Sequence, residues 1–193
     1  MMRHLVVMLK QPVAGRVKTR LGRDIGMTQA AWWYRHQTRA LLRRLDDPRW
    51  QLWLAVTPEN STVSRMWPAH VPRVPQGRGD LGARMAGVMR KMPKGPLCII
   101  GGDIPDISPM AITRAFRALG GHDVVFGPAM DGGFWLVGLK RVSAVPPGLF
   151  ENVRWSTEHA LSDSMATLDG RSVACVDRLR DVDTQEDLKA LSR

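Results

Sequence analysis

Residues 97–105 read LCIIGGDIP, an apolar run that ends in two glycines, one carboxylate and a proline. Such a run predicts a buried strand that brings the carboxylate of Asp103 to the edge of a sheet. In open α/β sheets, ligands bind at the carboxyl ends of the strands. A carboxylate beside backbone without side chains suits a hard divalent cation that carries a phosphorylated ligand. A plain Gly-Gly-Asp turn after a core strand explains this one segment equally well.

Strands and helices alternate on both sides of this stretch. The pattern predicts strands over 3–10, 51–57, 71–75, 96–100, 123–127, 133–139 and 172–176, and helices over 28–45, 61–67, 81–91, 109–119, 157–168 and 184–191. This alternation indicates a mostly parallel sheet covered by helices on both faces. The strands 123–127 and 133–139 lie close together in sequence, which permits one antiparallel strand. We therefore expect one α/β domain over residues 1–193, with Thr28 and Ser108 as helix caps.

The charge and the hydropathy restrict the partners. Lys and Arg outnumber Asp and Glu by 28 to 18, a net charge of +10, which fits phosphorylated ligands, nucleic acid or an acidic membrane surface. The cations are spread along the chain without an RNA-binding aromatic motif, so we do not expect a nucleic-acid partner. Short apolar runs and the lack of a signal peptide predict a cytoplasmic protein without membrane insertion. Cys98 and Cys175 fall on predicted core strands and are expected to be reduced.

A basic loop follows the first predicted strand. Residues 10–22 read KQPVAGRVKTRLG, with four cations: Lys10, Arg16, Lys18 and Arg20. Gly15 permits close approach of the backbone to a ligand, and amides with cations suit a polyphosphate. The spacing matches neither a Walker loop nor a dinucleotide fingerprint. A solvated basic loop is the alternative, but such loops at strand ends are where α/β sites lie, so we favour phosphate binding.

Three further segments contribute candidate ligands beside predicted strands or helices. The candidates are Gln76 and Gly77 for a base or sugar, and Gly132, Gly133, Phe134, Trp155, Ser156 and Thr157 for the substrate. Structural explanations exist for some of these residues and for their neighbours. Asp80 suits a helix cap, Asp131-Gly132 suits a tight hairpin, and Trp155 suits the core. The hairpin and a pocket floor made by the same glycines are compatible.

A second carboxylate is predicted at the edge that carries Asp103. The segment 180–188 (RDVDTQEDL) lies between the last strand and the last helix. Two carboxylates on one edge, opposite a cationic loop, make a metal–polyphosphate site, and Asp183 is the partner that we expect. A capped helix explains Thr184 and Asp187 but leaves Asp181 and Asp183 unexplained.

These motifs together resemble a known family. PVAGRVKTRLG (12–22), QGRGDLGARM (76–85), IGGDIPDI (100–107), DGGFWLVGL (131–139), VRWSTEHAL (153–161) and RDVDTQEDL (180–188) resemble the small glycosyltransferase-A-like proteins labelled DUF2064. The matching stretches span the chain in the family's order. The resemblance implies a three-layer α/β/α nucleotide-diphospho-sugar transferase fold (GT-A-like).

The resemblance also implies roles for particular residues. In the cytidylyltransferases of sugar acids, one aspartate after the central strand and one in a similar VDTPEDL segment hold magnesium, and these fall on Asp103 and Asp183. We therefore expect Mg²⁺ or Mn²⁺. Guanylyltransferases acting on phospholactate or phosphoenolpyruvate have a comparable DGG segment, which falls on 131–133. One departure is Gly101, which stands where the common glycosyltransferase DxD motif has its first acid.

Two reactions fit this set. In the first, a small-molecule acceptor attacks the anomeric carbon of a nucleotide-sugar, and Asp131 is the catalytic base. In the second, a phosphorylated molecule attacks the α-phosphate of a nucleoside triphosphate and pyrophosphate leaves, with no base needed. In both, Lys18 acts in catalysis with Arg16 and Arg20 by neutralising phosphate charge. A non-catalytic nucleotide-binding protein is the alternative from another class. The nucleotide, the acceptor and the oligomeric state stay open.

Overall fold

The protein folds around one seven-stranded sheet. The computed structural model describes residues 1–190. The strands are β1 His4–Lys10, β2 Gln51–Thr57, β3 Arg73–Pro75, β4 Leu97–Gly101, β5 Val124–Pro128, β6 Phe134–Leu139 and β7 Val173–Cys175, in the order β3-β2-β1-β4-β6-β5-β7. Every neighbouring pair is parallel except the two that involve β6. The predicted mostly parallel sheet with one antiparallel strand is confirmed.

This topology collects the strand ends that matter for function on one side. The six parallel strands all end at the same edge, where β6 begins, and we call it the C-terminal edge. Lys10 closes β1 there, and Asp103 follows β4. The chain after β7 continues along β5, because Val176 N donates to Phe126 O at 2.8 Å and Leu179 N to Pro128 O at 3.1 Å. That pairing carries the chain to the same edge before Asp181 and Asp183.

Helices cover both faces of the sheet and complete three layers. They are α1 Thr19–Ile25, α2 Met27–Leu45, α3 Leu81–Lys91, α4 Pro109–Gly121, α5 Ala160–Ala166 and α6 Gln185–Ala190, with a 3₁₀ helix at Glu59–Val63. Alternate residues of β1 serve the two faces. Leu5 belongs to the core cluster with α2 and α4, and Val6 belongs to the cluster with α3. The apolar side chains of each helix therefore close one side of the sheet.

Several boundaries differ from the sequence prediction. Helix α1 begins inside the stretch 10–22 that the sequence analysis treats as a basic loop, and Gly22 within it is a poor helix former. The cap at Thr28 is wrong, since α2 begins at Met27 after Gly26 without a side-chain cap, whereas Ser108 does accept from Ala111 N at 3.2 Å. Helix α5 is shorter than 157–168. The predicted end of the last helix, Leu191, lies outside the described residues.

The cysteines also differ from each other. Cys98 is fully buried in β4 as predicted, whereas Cys175 is exposed and is not a core residue. Both are free thiols. Among the helices of residues 1–190, none combines the length and the apolar character needed to cross a membrane.

Candidate functional site

A cleft of about 550 Å³ opens at the C-terminal edge of the sheet. Strand ends form its floor, α1 and α2 form one wall, and the chain around 155–160 forms the other. Its polar lining consists of Lys10, Lys18, Thr19, Arg20, Tyr34, Gln76, Arg84, Asp103, Asp131, Ser156, Thr157, Asp181 and Asp183. The volume lies in the range of small-molecule sites, and charged groups of both signs converge on it.

Lys18 lies between the two predicted metal ligands. Its Nζ donates to Asp103 Oδ2 at 2.7 Å and to Asp183 Oδ1 at 2.6 Å. The Lys18 side chain is only 6% exposed, whereas the two carboxylates are 35% and 37% exposed. Arg20 adds a longer contact to Asp183 at 3.4 Å. Segments from opposite ends of the chain are therefore joined through one ammonium group.

The electrostatics of Lys18 explain how a buried ammonium stays charged. Burial alone lowers its pKa, but the attraction and the hydrogen bonds of Asp103 and Asp183 outweigh burial and raise the pKa above its ordinary value. The backbone of Lys18 is left-handed, with φ 46° and ψ 47°, directly before α1. A non-glycine residue in that region is strained, and such strain concentrates at functional sites.

The pair of carboxylates is positioned by the local backbone. Gly102 packs against Leu9, where a side chain would overlap that residue, so β4 ends close to β1 and Asp103 reaches the cleft. On the other segment, Val182 is fully buried and the acids on either side of it line the cleft. Thr184 and Asp187 exchange hydrogen bonds as the predicted capping box and fix the chain just after Asp183.

Asp181 adds a third carboxyl group close to Asp183 and Asp103 in this corner of the cleft. Burial first, and then the nearby charges of Asp183 and Asp103, raise its pKa to about 6. Carboxylates this close repel one another unless a cation lies among them. The donor set fits a divalent cation on chemical grounds, because hard oxygen ligands converge on a point that already holds a positive group. Within residues 1–190, no three His, Cys, Asp or Glu side chains are arranged as a complete metal site.

Gln76 supports a cation that the sequence analysis did not select. Its amide nitrogen donates to Leu9 O at 3.0 Å and to Ala55 O at 2.9 Å, so both of its N–H groups are used inside the protein. Its amide oxygen accepts from Arg84 Nη1 at 3.0 Å, and Arg84 Nε donates to Asp80 O. Gln76 is therefore a support for Arg84, which makes no ion pair with any described residue.

The DGG segment forms the hairpin between β5 and β6. Asp131 Oδ1 accepts from Gly133 N at 2.9 Å and leaves an exposed carboxylate at the mouth of the cleft. Gly132 has φ +86°, and any side chain there would meet the backbone of Glu158. Gly132 therefore docks the hairpin onto the opposite wall rather than lining the cleft. The segment is a hairpin, as the sequence suggests, and of its two glycines only Gly133 also lines the cleft.

An aromatic cluster forms the second wall. Phe134 lies 6.1 Å from Trp155 and 6.2 Å from Phe150, measured between ring centroids. Arg154, just before it, is held by Asp163 through three hydrogen bonds of 2.9 to 3.0 Å. Ser156 has a left-handed φ of 61° and is exposed at the cleft. The wall combines flat apolar rings with hydroxyl groups, which suits a ring-bearing polar ligand.

The structure thus brings most of the predicted site together. Twelve of the sixteen predicted residues line the cleft: Lys10, Lys18, Arg20, Gln76, Asp103, Asp131, Gly133, Phe134, Trp155, Ser156, Thr157 and Asp183. Gly15, Arg16, Gly77 and Gly132 are not among its lining residues. The sequence analysis did not select Tyr34, Arg84 and Asp181. Of these, only Asp181 carried a signal in the sequence, as an acid that a capped helix leaves unexplained.

Tyr34 links α2 to the cleft. Its hydroxyl accepts a hydrogen bond from Lys10 N at 3.2 Å. Burial raises the pKa of Tyr34 to about 12, so the phenol stays neutral at physiological pH. The residue is 6% exposed and packs with Val17 and Ala31. Nothing in the periodic pattern of α2 distinguishes it from an ordinary core position.

Solved structures share this fold. A protein from Desulfovibrio desulfuricans G20, provisionally named a nucleotide-diphospho-sugar transferase, is 29% identical with a TM-score of 0.87 over 100% of this chain and 87% of its own. The inositol-1-phosphate CTP transferase of T. maritima is 14% identical with a TM-score of 0.65, covering 99% and 93%. Rv0371C of Mycobacterium tuberculosis H37Rv, solved in complex with manganese, is 20% identical with a TM-score of 0.55, covering 99% and 97%.

These similarities agree with the fold class expected from the sequence. The sheet and its helices have the GT-A-like architecture of nucleotide-diphospho-sugar transferases. The similarities also support the prediction that the chain is a transferase enzyme. A search of curated proteins found no match. The family model described as an uncharacterized protein conserved in bacteria (DUF2064) matches residues 40–157, and the chain therefore belongs to the DUF2064 family.

Proposed function

We propose that the protein is a metal-dependent transferase that uses a nucleotide-activated substrate, with a nucleotide-sugar as the donor. One observation carries the proposal. Asp103 and Asp183, which come from separate segments of the chain, both bind the ammonium group of Lys18 in a cleft of about 550 Å³. This is the edge at which open α/β sheets bind ligands. The volume of the cleft suits a small molecule, and its cations suit the negative charge of a nucleoside diphosphate group.

The cations of the cleft are assigned to the phosphates. Lys10, Lys18, Arg20 and Arg84 line the cleft that contains the carboxylate pair. Positive groups held in place before the reaction stabilise the charge that develops on a leaving diphosphate without reorganising. Gln76 orients Arg84 for this task.

Asp103 and Asp183 are assigned to Mg²⁺ or Mn²⁺. When bound, such an ion polarises the phosphate oxygens and lowers the energy of the departing diphosphate. The two carboxylates supply hard oxygen ligands, and their partial exposure of 35% and 37% leaves room for ligands from the substrate.

The opposite wall is assigned to the acceptor. Asp131 has an exposed carboxylate at the mouth of the cleft, in a place where it can take a proton from an acceptor hydroxyl. The rings of Phe134 and Trp155 offer a flat apolar surface, and the hydroxyls of Ser156 and Thr157 offer hydrogen bonds. Together these groups favour a small polar acceptor.

Nucleotidyl transfer is the second candidate, and Gly101 favours it. Gly101 stands two residues before Asp103, where the common glycosyltransferase DxD motif has its first acid, so that position offers no second carboxylate. In this version, a phosphorylated small molecule attacks the α-phosphate of a nucleoside triphosphate. Its nucleophile is already ionised, so Asp131 is not required as a base.

The products of turnover distinguish the two reactions. The protein is incubated with Mn²⁺ and panels of nucleotide-sugars, or of nucleoside triphosphates with phosphorylated metabolites, and products are read by phosphorus NMR. A nucleoside diphosphate product supports sugar transfer, and pyrophosphate supports nucleotidyl transfer. Asp103→Asn and Asp183→Asn should each abolish turnover while the fold survives.

A matched acid controls for surface charge. Asp106 is exposed on the loop after Asp103 and lies outside the cleft, so Asp106→Asn should keep full turnover. Metal-dependent nucleotide binding without turnover of any substrate would favour a non-catalytic nucleotide-binding protein. If Asp103→Asn retains metal-dependent nucleotide binding, the assignment of Asp103 to the metal is wrong.

A further inference from the structure

We infer that Lys18 is an exchangeable counter-ion: it neutralises Asp103 and Asp183 when the nucleotide site is empty and moves to the phosphates when metal and nucleotide bind. This inference rests on the proposed function and adds a mechanism by which metal and nucleotide binding depend on each other. It concerns the order and the coupling of binding, which the assignment of ligands alone does not set.

The first step is that Lys18 occupies the point where the carboxylates converge. The ammonium contacts one oxygen of each carboxylate at 2.7 and 2.6 Å. A divalent cation bound by both acids requires the same space, at ligand distances of roughly 2.0–2.6 Å. Two positive groups within a few ångströms in a partly buried site repel each other strongly. Lys18 and the metal therefore compete for the same two acids.

The second step is that the side chain of Lys18 can move while its backbone stays fixed. Its backbone is fixed at the start of α1, where Gly22 N donates to Lys18 O at 2.8 Å. The ammonium sits at the end of a flexible four-carbon stem, unlike the rigid fork of an arginine. The tip can leave the acids while the backbone stays in place.

The third step is that the ligand supplies a new partner for the displaced group. An ammonium that is 6% exposed cannot be left unpaired in the cleft without a large desolvation cost. Phosphate oxygens accept charge-assisted hydrogen bonds from lysine. The metal therefore binds poorly alone and well with nucleotide, and by linkage the nucleotide binds better with metal by the same factor.

A fixed structural role for Lys18 is the competing interpretation. In that case the ammonium would hold the two chain segments together in every state, and removing it would loosen the acids and weaken metal binding. The two interpretations give opposite signs for the effect of Lys18 on metal affinity, which makes them separable.

The test is calorimetric titration with Mn²⁺ alone, followed by titration with a nucleotide. Lys18→Met keeps the apolar stem and removes the charge. We expect it to bind Mn²⁺ alone about tenfold more tightly than the natural protein, within the range usual for coupled sites. Its gain in Mn²⁺ affinity on adding nucleotide should fall by a similar factor. Lys94→Met removes an exposed lysine that does not line the cleft, and its affinity for Mn²⁺ alone should change by less than about twofold.

The outcomes separate this inference from the proposed function. Equal or weaker binding of Mn²⁺ alone by Lys18→Met overturns the inference, whatever the nucleotide does. Absence of nucleotide binding by the natural protein with Mn²⁺ overturns the proposed function, but the comparison with Mn²⁺ alone still stands. Thermal melting checks that the variant is folded, and Lys18→Gln, which is also uncharged but polar, provides the same comparison if Lys18→Met does not fold.

Discussion

Gly132 lies with its Cα against the backbone of Glu158. A Cβ at position 132 would overlap the Glu158 carbonyl group, and Leu161 N donates to Gly132 O at 3.1 Å. This close approach joins the β5–β6 hairpin to the wall that carries Trp155. The hairpin also carries Asp131, so the spacing between the expected base and the acceptor wall depends on a residue that contacts neither ligand.

The first prediction concerns this contact. Gly132→Ala should lower the free energy of unfolding by about 1–3 kcal/mol, because φ +86° is strained for alanine and the added methyl meets backbone that has nowhere to move. Urea unfolding followed by circular dichroism measures the change. Gly87→Ala is the matched control, since its Cβ would have no neighbour within 4 Å in a helical position. That control should be neutral or stabilising by up to about 1 kcal/mol, and an equal loss in both variants would contradict the docking role.

A second prediction separates Arg84 from the fold around it. Arg84→Met should weaken nucleotide binding about 10- to 100-fold, the equivalent of one charge-assisted hydrogen bond of roughly 1.5–3 kcal/mol. Calorimetric titration measures the affinity, and the melting temperature should fall modestly because the buried amide oxygen of Gln76 loses its donor. Arg90→Met, at an exposed position on the same helix, should leave the affinity unchanged. Unaltered binding by Arg84→Met would remove Arg84 from the phosphate site.

Gln76 should behave differently from Arg84, although the two are bonded to each other. Gln76→Leu removes the donors to Leu9 O and Ala55 O in a site that is 4% exposed. Unsatisfied buried groups cost about 1–3 kcal/mol each, so the free energy of unfolding should fall by roughly 2–4 kcal/mol. Nucleotide binding should weaken as well, because Arg84 loses its support. A variant that loses affinity without losing stability would indicate direct contact of Gln76 with the ligand.

The sequence predicted the parts of this molecule that follow a local rule. The strand 51–57 and the helix 81–91 were placed at their observed bounds, because apolar periodicity and the Asp80 cap are both local. The acids 103 and 183 were placed on one edge because parallel strands end together. Helix α1 was missed because Gly22, in its middle, argues against a helix. The fit of Gly22, whose Cβ would crowd Met27, exists only in the folded protein.

The remaining differences at the site arise from long-range contacts. That Arg84 faces the cleft depends on its bond to Gln76, and no periodicity in α3 indicates it. That Lys18 pairs with Asp183 depends on two segments 165 residues apart. A basic loop and an acidic edge can be identified separately in the sequence. Their neutralisation of each other is a property of the assembled site.

The last prediction uses pH to test the anchor of the acceptor wall. Hydrogen bonds from the Arg154 side chain and backbone hold the pKa of Asp163 well below its ordinary value. A depressed pKa means that the stabilising contribution is fully present above the ordinary aspartate pKa, near 3.9, and is lost as the pH falls below it. The Asp163→Asn variant should therefore have a lower melting temperature than the natural protein at pH 7. This difference in melting temperature should shrink as the pH is lowered from 5 to 3.

The control for this experiment is another acid nearby in sequence. Asp169→Asn changes an exposed carboxylate that has no hydrogen-bond partner among the described residues. Its melting temperature should therefore equal that of the natural protein across the same pH range. A melting difference for Asp163→Asn that stays constant down to pH 3 would mean that the loss comes from shape rather than charge. In that case Arg154 would be held mainly by packing, and the wall beside Trp155 would not depend on the ion pair.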